Sequence, residues 1–116
     1  MQLTSLELAT AVAKAMDSKK GTDIRVLKVE DLTILTDYFV IGTGNSSTQV
    51  RALADEVEYQ LSEAGVSVLR REGTESRNWI LLDYGVVIVH IFYPDTRNFY
   101  DLEHLWADAT PVEIEL

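Results

Sequence analysis

The stretch from Ile41 to Val50 reads Ile-Gly-Thr-Gly-Asn-Ser-Ser-Thr-Gln-Val: an apolar run, two glycines, three consecutive hydroxyl side chains and the start of a helical pattern. That order of residue types is suited to holding a phosphate. A phosphate-cradling P-loop, however, needs a lysine after its last glycine to reach the β and γ phosphates. Here Ser46, Ser47 and Thr48 stand in that region. A dinucleotide fingerprint needs a third glycine for close helix packing and an acid about 20 residues further on. Asn45-Ser46-Ser47 follows Gly44, so the third glycine is missing. The same residues spell a helix start. Ser46-Ser47-Thr48-Gln49 matches a capping box, with the Ser46 hydroxyl accepting from the Gln49 backbone and the Gln49 amide reaching back. The joint between strand and helix is the preferred reading, and the anion affinity of any helix N-terminus keeps a phosphate site as its rival.

Other chemistry is sparse. Asp37 precedes one apolar strand and Asp83 ends another, but no Asp-x-Asp places two carboxylates together for Mg²⁺. Ser46 or Ser47 with His90 and an aspartate would compose a hydrolase triad, yet no Gly-x-Ser-x-Gly elbow supports it. His90 lies between Val89 and Ile91 and shares a strand face with Ile88 and Phe92. A single histidine in such a run reads as a satisfied buried group, with Asp83 across a hairpin as its expected partner. Two histidines, His90 and His104, and no cysteine leave no metal cluster, no disulfide framework and no cysteine nucleophile. No cofactor is expected.

The elements that position these residues follow from periodicity and punctuation. The chain of 116 residues is expected to form one α/β (α+β) domain over residues 1–110, with 111–116 an acidic C-terminal tail. Thr4-Ser5-Leu6-Glu7 is a capping box, Leu3 and Leu8 form a staple, and a helix runs to Lys19-Lys20, where Gly21 stops it. Asp23–Val29 and Tyr38–Ile41 read as strands. From Ser46, Val50, Leu53, Ala54, Val57, Leu61 and Ala64 form the apolar stripe of a second helix. Val66–Leu69 is the expected next strand, parallel to the one before the helix. A polar loop, 72–78, leads to a hairpin of Trp79–Tyr84 and Val86–Tyr93 around Gly85. Phe99, Leu102, Leu105, Trp106 and Ala109 then mark a third helix. The order is helix, strand, strand, helix, strand, strand, strand, helix, which gives a mixed sheet of about five strands flanked by helices.

Charge bounds the partners. Nineteen acidic against ten basic residues leave a net charge of −9, which disfavours direct wrapping of nucleic acid and suits a basic protein partner. No apolar run reaches the roughly 18 residues of a membrane span, and no presequence pattern opens the chain; the expected location is cytoplasmic. Aromatics gather in the last third, as they do at interface hot spots. Phe99, Leu102 and Trp106 fit the core. Trp79, at the mouth of a polar loop, and Tyr100, off the apolar stripe, fit a partner surface.

Three blocks carry a resemblance. Asp37 to Ser47 (DYFVIGTGNSS), Trp79 to Gly85 (WILLDYG) running into Val89-His90-Ile91-Phe92, and Arg97 to Trp106 (RNFYDLEHLW) together resemble the signatures of the ribosomal silencing factors, also called the Iojap family. The match covers nearly the whole chain. It implies a mixed sheet related in shape to nucleotidyltransferases without their catalytic carboxylates, and a protein that is not an enzyme. It further implies binding to the large ribosomal subunit through ribosomal protein fourteen. Bound there, family members block joining of the small subunit and repress translation when nutrients are scarce. They are also linked to large-subunit maturation, and several are homodimers when free. Carried over residue by residue, the contact surface falls on Trp79 and Tyr100, with Asp83, His90, Arg97 and Leu105 in the same blocks. Val86 stands where the family usually has an acid, which alters one polar group beside the hairpin. The rival readings are a nucleotide-binding enzyme using Gly42–Thr48 and a large-subunit assembly factor.

Overall fold

The computed structural model describes residues 3–73 and 78–116, with Phe99 and Tyr100 described through their backbone. The elements are α1 (Ser5–Ser18), β1 (Thr22–Lys28), β2 (Tyr38–Thr43), α2 (Ser47–Glu63), β3 (Arg70–Glu72), β4 (Trp79–Asp83), β5 (Val87–Phe92), α3 (Pro94–Tyr100), α4 (Leu102–Leu105) and β6 (Thr110–Val112). The strands form one mixed sheet of six in the order β3-β4-β5-β2-β1-β6. β2 and β5 are parallel, and the other neighbours are antiparallel.

Both long helices start as their residues dictate. The Thr4 hydroxyl accepts from the Glu7 N–H at 3.1 Å, and the Glu7 carboxylate accepts from the Thr4 N–H at 2.8 Å. Ser46 caps α2 by accepting from the Gln49 N–H at 3.0 Å, while the Gln49 amide oxygen accepts from Asn45 at 2.6 Å, one residue earlier than a capping box requires. At the end of α1 the left-handed residue is Lys20, at φ 64°, and not Gly21. The Gly21 and Lys20 amides then close the last turn onto the Met16 and Asp17 carbonyls at 2.9 and 3.0 Å.

Strand alternation sorts the apolar side chains onto two faces. Val26, Tyr38, Val40, Ile80, Leu82, Val87, Val89 and Ile91 point toward α1 and α2 and, with Leu8, Val12, Met16, Val50, Leu53, Val57 and Leu61, make the main core. Leu27, Val29, Phe39, Ile41 and Phe92 point the other way. Leu102, Trp106 and Ala109 cover part of that smaller, outer layer.

Three expectations need correction. Residues Val66–Leu69 are not a strand beside β2. Val66 and Val68 are half-buried and Ser67 and Leu69 exposed, so this segment skirts the sheet; the ladder begins with the Leu69 N–H on the Asp83 carbonyl, at 2.8 Å. The slot beside β2 requires burial on both faces, and the continuous apolar run of β5 fills it. The third helix is two short ones, because Pro94 opens a helix at its first turn and Asp101 adopts the left-handed conformation at φ 45°. The sheet gains a sixth strand, β6, from residues at which the sequence suggests only a helix stop and a tail. Residues 74–77 of the expected polar loop lie outside the described residues.

The Gly-x-Gly of the β2–α2 joint serves the chain's own packing. A Cβ on Gly44 would lie 2.8 Å from the Val50 backbone nitrogen, and one on Gly42 would lie 2.7 Å from the Met16 sulfur. Backbone cannot yield, whereas a methionine side chain can. Gly44→Ala is therefore expected to destabilise the fold by about 1–3 kcal/mol, and Gly42→Ala by less. Urea denaturation of both variants checks the order; equal stability of Gly44→Ala and the parent chain would refute it.

Candidate functional site: an aromatic layer on the outer face

Five rings floor the outer face of the sheet. Trp79 on β4 stacks on Phe92 of β5 (centroids 5.2 Å apart), and its register partner there is Phe92 itself. His90, two residues back on the same face of β5, lies parallel to Phe92 at 6.0 Å. Phe39 of β2 meets His90 edge-on at 5.3 Å and Trp106 edge-on at 5.1 Å. The layer therefore runs from the first residue of β4 to the segment after α4. It is fixed by alternation along three strands.

A hydrogen bond crosses this layer. The Trp79 indole N–H donates to Nδ1 of His90 at 3.2 Å. An indole nitrogen only donates, so Nδ1 is an acceptor and the imidazole is neutral with its proton on Nε2. Burial pushes the His90 pKa down to about 4. The expected partner Asp83 is not involved, because the residue across from His90 is Leu81 and Asp83 faces Ile88. The Asp83 carboxylate instead accepts from the Gly85 N–H at 2.8 Å, tying the hairpin turn, and pairs with Arg70 at 3.6 Å. Gly85 takes φ 84°, a conformation open to glycine, and the exposed Val86 follows it.

The residues singled out in the sequence divide into two groups. Trp79 and Asp83 are half-buried on the β4–β5 part of the outer face, where Leu81 and Ile88 also keep part of their surface in solvent. Leu105 is 72% exposed on α4. His90 and Arg97 are buried. Arg97 donates from Nη1 to the Asp23 carbonyl and the Thr43 hydroxyl, each at 2.6 Å, and from Nε to Glu103 at 2.9 Å. That contact holds the Glu103 carboxyl below its ordinary range. The backbone of Tyr100 ends α3; its side chain lies outside the described residues. Leu81 and Ile88 were missed as surface residues. Their position opposite and beside Asp83 and His90 on one strand face is the period-two signal that could have found them.

Several polar groups of the β2–α2 joint are engaged within the chain. The Thr43 hydroxyl is taken by Arg97, Ser46 by its cap, and the Gln49 amide by Asn45 and the Lys20 carbonyl. Among the described residues no three His, Asp or Glu side chains converge as metal ligands. Asp55 and Glu58, two acids lining a groove along α2, are both held by Arg71.

The depressed His90 pKa has a definite sign. The folded state binds its proton more weakly than the unfolded chain, whose histidine titrates near 6.5. Stability is complete above about pH 6.5 and falls as pH drops toward 4, with about 2 kcal/mol lost from this group by pH 5. His90→Gln, whose amide oxygen can still accept from Trp79, removes that titration. Urea melts at pH 7 and pH 5 are expected to show a smaller difference for the variant; an equal difference would refute the assignment.

Comparison with known proteins bears on the family and the fold. The family model described as "Ribosomal silencing factor during starvation" matches residues 2–116. The ribosomal silencing factor RsfS of Halalkalibacterium halodurans is 39% identical over 113 residues, spanning 97% of each chain. A mouse protein named "Mitochondrial assembly of ribosomal large subunit protein 1" is 33% identical over 92 residues, which are 77% of this chain and 40% of that protein. The crystal structure of a Chromobacterium violaceum protein is 37% identical and superposes with a TM-score of 0.88, over 98% of this chain and 94% of that one. With fold, order of blocks and full-length similarity in agreement, the chain belongs to the ribosomal silencing factor family.

Proposed function

We propose that this chain is a translational repressor that docks on the large ribosomal subunit through the β4–β5 part of the outer sheet face and the adjoining α3–α4 corner. Its partner there is ribosomal protein fourteen. Docked, it occupies space that the small subunit needs, and so represses translation under nutrient limitation. It carries out no reaction and requires no cofactor. Its place of action is the cytoplasm, and the free protein pairs as a homodimer.

The observation that carries this reading is the half-buried apolar strip of Trp79, Leu81 and Ile88, flanked by the Asp83–Arg70 pair. An aromatic anchor with polar groups at its rim is the usual composition of a hot spot. Tyr100 and Leu105 extend the contact on the corner, and His90 supports Trp79 from behind. The net charge of −9 steers the domain toward a basic ribosomal protein. A second reading, assistance in large-subunit assembly, is favoured by the name of the mouse relative and would use the same surface.

Co-sedimentation with isolated large subunits, followed by addition of small subunits, tests both. Trp79→Ala is expected to weaken subunit binding by about 2 kcal/mol or more, roughly 30-fold in Kd, and to restore subunit joining. Wild-type affinity in the variant would sink the assignment of this face. Binding without any effect on joining would move the assembly reading ahead. No binding by the parent chain would end both.

A further inference from the structure

Arg97 belongs to the block that resembles a contact surface, yet its side chain is only 10% exposed. Its guanidinium joins three segments distant in sequence. Nη1 reaches the Asp23 carbonyl, within the irregular start of β1, and the Thr43 hydroxyl at the end of β2. Nε reaches the Glu103 carboxylate on α4. The Arg97 carbonyl also accepts from the Asp101 N–H at 2.8 Å, at the left-handed kink between α3 and α4.

Among the described residues, α4 has little else to hold it. It is four residues long, lacks a side-chain N-cap and contains no fully buried residue. A single turn has no stability of its own in water, so its orientation must come from tertiary contacts. Leu102 and the following Trp106 rest on the outer core, and Glu103 is tied to Arg97. The hydrophobic contacts restrain distance but not direction. The charge-assisted bond to a planar guanidinium, itself fixed by a carbonyl and a hydroxyl, restrains both.

We infer that Arg97 is a positioning residue: it latches α4 to the ends of β1 and β2 and thereby sets the α3–α4 corner, with the exposed Leu105, in the orientation that meets the partner. This rests on the docking face proposed above. Lysine is a poor substitute, because one ammonium cannot replace donors fixed along two directions of a fork.

Two measurements on Arg97→Met and Glu103→Gln test it: amide hydrogen exchange of the folded chain, and affinity for isolated large subunits. The Trp106 amide, bonded to the Leu102 carbonyl at 2.8 Å, reports α4, and amides of β5 report the sheet. The expected result in Arg97→Met is at least tenfold faster exchange in α4 with β5 unchanged, and at least tenfold weaker subunit binding. Glu103→Gln keeps an acceptor and the sheet-side bonds. It is expected to give a smaller change of the same kind, and it serves if Arg97→Met does not fold. Unchanged α4 exchange overturns the latch, whatever the binding shows. Faster α4 exchange with parental affinity overturns the positioning role alone. Failure of the parent chain to bind subunits overturns the docking reading and the positioning role with it, and leaves the latch to the exchange result.

Discussion

β2 is buried along its whole length and on both faces, and the structure is arranged to satisfy that constraint. A strand of this kind needs a hydrogen-bonded neighbour on each side and a layer above and below. β1 and β5 supply the neighbours. α1 and α2 supply one layer, and Gly42 lets α1 approach so closely that the Met16 sulfur fills the place of a side chain. The other layer is thinner. Among the described residues it consists of aromatic rings on the sheet itself, together with Leu102, Trp106 and Ala109. The candidate site lies on this face over β4 and β5, where Trp79, Leu81, Asp83 and Ile88 are half-buried. It follows from an asymmetry in how the two faces of one sheet are closed.

The same asymmetry decides what Trp79 can offer. Its ring lies at the boundary between the layer and solvent, while its N–H is directed inward to His90. An indole has one donor. The half-buried ring is a broad apolar plate held by Phe92 and His90. A partner that meets it needs an apolar recess more than an acceptor. His90 supports this arrangement only as the neutral imidazole, so its burial and its role are one fact.

Much of this was legible in the residues. The capping signals at Thr4 and Ser46 and the turn at Gly85 are local and gave their elements closely. The hairpin of β4 and β5 and the burial of His90 followed from apolar runs too dense for a solvent-facing strand. What escaped depends on contacts between distant parts of the chain. Val66–Leu69 has strand composition, but which run wins the slot beside β2 is a competition that only the assembled sheet decides. Thr110-Pro111 looks like punctuation until β1 offers it an edge. The break at Asp101 is stabilised by Arg97, whose own partners are 54 and 74 residues away in sequence. Arg97 was singled out for its residue type, which suits an interface as well as an interior clamp; burial separates the two.

The two edges of the sheet have a consequence of their own. An exposed strand edge is a template on which another chain can add its backbone. Here each edge strand is three residues long. β3 reads Arg-Arg-Glu, so its flanks carry charge, and β6 contains Pro111, which has no N–H to give. Neither edge presents a row of donors and acceptors long enough to nucleate a continuing sheet. Short, charged or proline-blocked ends of this kind disfavour edge-to-edge pairing between copies of the chain.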